Sequence, residues 1–153
     1  MNVIISGYFN PMTAGHLEYI KAAKQLGNVY CIVNSDEQVK LKGSIPFLDQ
    51  ETRLQIILPH VHYAVISNWD IDKSVTNTIK RLHDFDPTDK WIFYNSGDVG
   101  TSTVNKVNIR QKEIEICQML GIEIMYGKEA KIASSSSLIE EAAKIWIKRK
   151  LNL

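Results

Sequence analysis

Five short apolar runs, separated by longer stretches of helical periodicity, constrain this chain more than any other feature. The runs are VII at 3–5, VYCIV at 29–33, YAVI at 63–66, WIFY at 91–94 and IEIM at 122–125. They are rich in β-branched and aromatic residues and nearly free of polar ones. That pattern suits strands covered on both faces. The intervening stretches predict helices over 16–26, 51–58, 75–85, 107–120 and 135–149. Gly27 and Gly121 read as helix stops, Pro59 as another, and Ser74 as the N-cap of the third helix. Lys148, Arg149 and Lys150 stand at the C-terminal end of the last helix, where the dipole favours cations. The order βαβαβαβαβα predicts an α/β fold: a parallel five-stranded sheet, right-handed crossovers and helices on both faces.

The 153 residues fit a single domain spanning 1–153, large enough to bury a core without a disulfide or metal staple. The formal net charge of +1 argues against the broad basic surface of a nucleic-acid binder. Cys31 and Cys117 lie far apart in apolar segments and form no CxxC or Cys/His cluster, which points to a reducing compartment. No apolar run approaches the ~20 residues of a membrane span, and the N-terminus lacks a secretory pattern. A cytoplasmic protein with no membrane or nucleic-acid partner is expected.

In parallel sheets, ligands bind outside the C-terminal ends of the strands. The chemistry should therefore lie in loops 7–15, 34–47, 67–73, 95–104 and 127–135. The first holds Thr13, Gly15 and His16 at the mouth of a helix, where free N–H groups and a partial positive charge favour anions. Thr13 as a plain cap and His16 as a solvated first-turn residue is the competing reading. The second loop carries Asp36, Lys40 and Lys42, with Gly43 following. Arg53 arrives early on the next helix, a poor place for a cation unless it faces an anion. In the fourth, Gly97-Asp98 suits a ribose or base contact, with an ordinary Ser-Gly-Asp turn as the competing reading. In the last, the run from Ser134 to Ser137 exceeds what one helix cap requires, leaving hydroxyls for a second anion site. Together these parts imply a polyphosphate, although neither a Walker A loop nor GxGxxG is present.

The stretch GYFNPMTAGH, residues 7–16, resembles the (H/T)xGH signature of the nucleotidyltransferase α/β phosphodiesterase superfamily, and SSSSLI at 134–139 resembles its Ser/Thr-rich second signature. Residues 33–58 are similar to the adenylyltransferase domain of bifunctional heptose-phosphate enzymes and, more loosely, to glycerol-3-phosphate cytidylyltransferase. The resemblance implies a cytidylyltransferase-like, Rossmann-like domain, commonly a homodimer. It implies transfer of a nucleoside monophosphate from CTP or ATP to a phosphorylated sugar or polyol, with pyrophosphate released. A coenzyme-type adenylyltransferase and a silent nucleotide-binding module are the alternatives. The resemblance gives His16, Lys42, Thr13 and Arg53 catalytic roles. It assigns Gly7, Tyr8, Phe9, Asn10, Gly15, His16, Asp98, Ser134, Ser135 and Ser136 to the nucleotide, and Asp36, Lys40, Lys42 and Arg53 to the acceptor. It also implies Mg2+ held mainly by the nucleotide's phosphates. Thr13 stands for the usual first His, Asn10 for Asp and Ser96 for Gly.

Overall fold

The strands β1 (Asn2–Gly7), β2 (Asn28–Val33), β3 (Tyr63–Ile66), β4 (Trp91–Asn95) and β5 (Glu123–Tyr126) form one sheet in the order β3-β2-β1-β4-β5. Every pairing is parallel, as the alternating pattern predicts, with Val3 opposite Val29 and Ile92, and Gly7 opposite Val33. This structure is a computed structural model that describes residues 1–96, 104–127 and 135–153.

Two cores explain why the strands are apolar at consecutive positions. Val3, Ile5, Val29, Cys31, Val33 and Ile92 point to one face, where they meet α1 (Ala14–Lys24) and α3 (Gln50–Ile57). Ile4, Tyr30, Ile32, Trp91 and Phe93 point to the other, under α4 (Thr76–Phe85) and α5 (Val104–Leu120). Burying each large side chain stabilises the fold by roughly 1.5–3 kcal/mol. Cys31 and Cys117 are buried free thiols. The last helix, α6 (Ser135–Leu151), leaves Leu138, Ile145, Trp146 and Ile147 exposed. No helix among the described residues is long and apolar enough to cross a membrane.

Several local expectations are corrected. Loop 34–47 contains a helix, α2 (Asp36–Leu41). Ser74 does not cap α4. Its hydroxyl and N–H both donate to Asp72 Oδ1, at 2.6 and 2.8 Å. The capping falls to Asp70, whose carboxylate accepts from the N–H groups of Asn77 and Thr78 and from the Thr78 hydroxyl. Gly27 is not a left-handed stop, because α1 ends at Lys24 with Gln25 as a right-handed C-cap. A Cβ at position 27 would lie 2.4 Å from the Met1 carbonyl oxygen, so close backbone approach is what requires glycine there. Gly121, with φ +71°, does end α5 as expected.

Candidate active site

The strand order reverses between β1 and β4, and the loop leaving β1 opens at that switch point. This loop enters α1 through a reciprocal cap between Thr13 and His16. His16 N–H donates to Thr13 Oγ1 at 3.4 Å, and Thr13 N–H donates to His16 Nδ1 at 3.0 Å. The Thr13 hydroxyl also lies 3.2 Å from Nδ1. Because Nδ1 accepts from a backbone N–H, the neutral ring carries its proton on Nε2. Burial, and secondly the charge of Lys42, lower the His16 pKa to about 4. At neutral pH the ring is therefore an uncharged donor. The capping role and the candidate ligand role belong to the same two residues.

Gly7, Phe9 and Asn10 aim this pair. Phe9 is buried with φ +48°, a left-handed conformation that costs a non-glycine residue roughly 1–2 kcal/mol. Its ring meets the His16 imidazole edge-on, with centroids 4.9 Å apart. A Cβ on Gly7 would come within 2.9 Å of that ring, so glycine leaves the space that Phe9 fills. Asn10 staples the loop to the segment after α2. Its Nδ2 donates to Ile45 O at 2.9 Å, while its Oδ1 accepts from Phe47 N at 2.7 Å. An Asp at this position would have the acceptor but not the donor.

The helix α2 supplies the second side of the site. Ser35 caps it, with Gln38 completing a reciprocal box, and Lys42 is its C-cap. Gly43, at φ +85°, closes the end: its N–H donates to Lys40 O and that of Ser44 to Val39 O. Lys42 Nζ thereby stands 4.3 Å from the centroid of the Tyr8 ring, a cation–π contact. Burial first, and then Glu113, push the Tyr8 hydroxyl up to about 12, so it stays protonated.

Arg53 is placed differently from an open-pocket cation. Its side chain is fully buried. Nε donates to Leu48 O at 3.0 Å, Nη1 to Tyr8 O and Asn34 O at 2.7 Å each, and Nη2 to Asp36 Oδ1 at 2.8 Å. The anion inferred from its early helical position is thus Asp36, and the guanidinium ties together the loops after β1 and β2. Lys40 pairs with Glu37 at 2.9 Å on the exposed side of α2. Ser135 and Ser136 open α6, but their side chains, like Asp98 and Ser134 entirely, lie outside the described residues.

Two groups escaped the sequence reading. Gln38 is a wholly buried amide beneath α2. The Ser-x-x-Gln spacing from Ser35 was the available signal for it. Glu113 on α5 accepts from Val75 N at 3.2 Å, and burial pushes its carboxyl up to about 7. Nothing local in the sequence marks Glu113, because its surroundings come from packing between α5 and the segment before α4. Among the described residues, no group of three or more His, Cys, Asp or Glu side chains is arranged to hold a metal ion.

The sequence pattern of the cytidylyltransferase-like family matches residues 4–142, from β1 into α6. This chain belongs to the cytidylyltransferase-like family. The match takes in both the Thr13–His16 cap and the start of α6. Among relatives of this cytidylyltransferase-like chain, an FAD synthase of Thermoplasma volcanium is 33% identical over 58 residues, covering 37% of this chain and 41% of the relative. An FAD synthase of Thermoplasma acidophilum is 27% identical over 73 residues, covering 46% and 51%. The chain thus spans about half the length, or less, of these curated relatives. A crystal structure of a lipopolysaccharide core biosynthesis protein from Thermoplasma volcanium shares the fold, with a TM-score of 0.60 and 22% identity over 86% of this chain and 98% of the other.

Proposed function

We propose that this chain is a nucleotidyltransferase that binds a nucleoside triphosphate at the N-terminus of α1 and transfers its nucleoside monophosphate to a phosphorylated acceptor. The observation that carries the reading is the neutral His16, its donor fixed on Nε2, within reach of the Lys42 charge at a helix N-terminus. A helix mouth, an uncharged donor and an ammonium suit a polyphosphate undergoing substitution.

In the proposed reaction an oxygen of the acceptor's phosphate attacks the α-phosphorus. The bond from that phosphorus to the oxygen bridging the β-phosphate breaks, and pyrophosphate leaves with the electron pair. No protein nucleophile is needed, so catalysis rests on positioning and charge stabilisation. His16 Nε2–H donates to a non-bridging oxygen as negative charge builds there. Thr13 keeps Nδ1 occupied and so preserves that donor. Lys42 neutralises charge between the α-phosphate and the acceptor phosphate. Asp36, oriented by Arg53, belongs to the acceptor side, and Lys40 would join it by exchanging Glu37 for the ligand. Ser134, Ser135 and Ser136 are assigned the β- and γ-phosphates, and Asp98 the nucleoside. Mg2+ would accompany the nucleotide, where it would neutralise charge on the phosphates.

The two FAD synthase relatives favour a coenzyme-type adenylyl transfer, FAD being FMN joined through its phosphate to AMP. Sugar- or polyol-phosphate transfer is the second reading, supported by the likeness of residues 33–58 to sugar-phosphate enzymes. Pyrophosphate release from ATP or CTP with Mg2+, measured with FMN, phosphopantetheine and a panel of sugar and polyol phosphates, tests both. Release with ATP and FMN alone supports the first. Release with a sugar or polyol phosphate alone supports the second, and none with any pair contradicts the assigned activity.

A further inference from the structure

We propose that Gln38 is a positioning residue whose buried side-chain amide sets where Lys42 stands relative to His16. The inference rests on the reading of His16 and Lys42 as a phosphate-binding pair, and adds to it the part that holds the pair in register. Gln38 has no exposed surface. Its Oε1 accepts from Asn34 Nδ2 at 2.8 Å, from Ser35 N at 3.3 Å and from the Ser67 hydroxyl. Its Nε2 donates to the carbonyls of Asp72 and Ser74, both at 2.8 Å. Both N–H donors and the acceptor oxygen are thus fully engaged.

The placement of these partners is what gives the amide leverage. Ser67 directly follows β3, and Asp72 and Ser74 lie in the segment that leads to α4. Gln38 therefore ties α2 to the residue after β3 and to the segment before α4. The helix has only six residues, too few to hold its own position in water. Lys42 lies one turn beyond Gln38, its N–H donating to Gln38 O at 3.0 Å. A rotation of α2 at Gln38 carries Lys42 away from the Tyr8 ring and from His16. Only an amide serves here. Leu would leave two carbonyls and three donors without this partner, and Glu would set a carboxylate against two carbonyl oxygens.

The test uses the full chain as wild type, Gln38→Leu, Ser67→Ala, Lys42→Ala and the Gln38→Leu/Lys42→Ala pair. The His16 ring is titrated by NMR without nucleotide, and kcat and KM are measured with the best nucleotide–acceptor pair. In Gln38→Leu the His16 pKa rises from about 4 as the Lys42 charge withdraws. Lys42→Ala raises it too, and adding Gln38→Leu then changes it no further. In the single Gln38→Leu variant kcat falls by about 10–100-fold, the scale of a misplaced catalytic group, while nucleotide KM changes little. Ser67→Ala removes one bond to the amide, shifts the titration the same way by less, and serves if Gln38→Leu fails to fold. An unchanged His16 titration in the folded variants, or a further loss when Gln38→Leu is added to Lys42→Ala, overturns the proposal. Should no acceptor turn over, the functional reading fails by itself, and the titration still decides the role of Gln38.

Discussion

Thr13 N–H points at His16 Nδ1 from 3.0 Å, and that single contact decides which imidazole nitrogen faces outward as a donor. The environment keeps the ring neutral and links its charge to stability. The folded pKa is about 4 against an ordinary 6.5, so the unfolded chain binds the proton more tightly. Stability from this residue is present above pH 6.5 and is lost as pH falls towards 4. Glu113 has the opposite sign. Its folded pKa of about 7 exceeds the ordinary 4.5, so stability is lost as pH rises through that window. Glu113→Gln keeps an acceptor for Val75 N–H and removes the cost of ionisation. The variant should melt above wild type at pH 8 and close to it at pH 5. Equal differences at the two pH values would refute the assigned burial effect. Asn10→Asp removes the donor to Ile45 O and sets a carboxylate against it. A loss of about 1–3 kcal/mol is expected, read as a lower Tm at pH 7. An unchanged Tm would show that the staple contributes nothing.

At the scale of elements, α2 separates what the sequence made legible from what it did not. Strands are legible as short clusters of consecutive apolar residues, and the long helices because their period repeats over several turns. The strand at 63–66 agrees at both ends with β3, and the others differ by one or two residues. A six-residue helix has too few turns to show periodicity, so its evidence lay in its ends: Ser35-x-x-Gln38 before it and Gly43 after it. In sequence Gly43 reads only as a neighbour of Lys42, whereas its structural task is to stop the helix at that lysine. Gly43→Ala places a side chain at φ +85°, although the space around it is open. It should therefore cost about 1–2 kcal/mol through backbone strain alone, measured by chemical denaturation. A neutral result would mean that α2 does not depend on this stop. Ser74 misled for a related reason. It is a good capping residue two positions before the helix, and only the fold reveals that Asp70 reaches the α4 N–H groups instead.

For the whole molecule, the parallel strand order sets the candidate chemistry at one sheet edge. That inference needed only the alternation of elements and the rule for strand C-termini. The same rule points to Thr13, His16 and Lys42 as candidates. The fate of Arg53 was not, because its four acceptors come from Tyr8, Asn34, Asp36 and Leu48, which only the folded chain brings together. The proposed activity has this edge transfer a nucleoside monophosphate with His16 at the α-phosphate. Its most direct measurement follows ATP labelled either on the α- or the γ-phosphorus, with Mg2+ and FMN, in wild type and His16→Ala. The α-label should enter the organic product and the γ-label should leave as pyrophosphate. Both fluxes should fall by about 10²–10³-fold in His16→Ala, the loss typical of one transition-state donor. Transfer of the γ-label to the acceptor, or full activity in His16→Ala, would contradict the account.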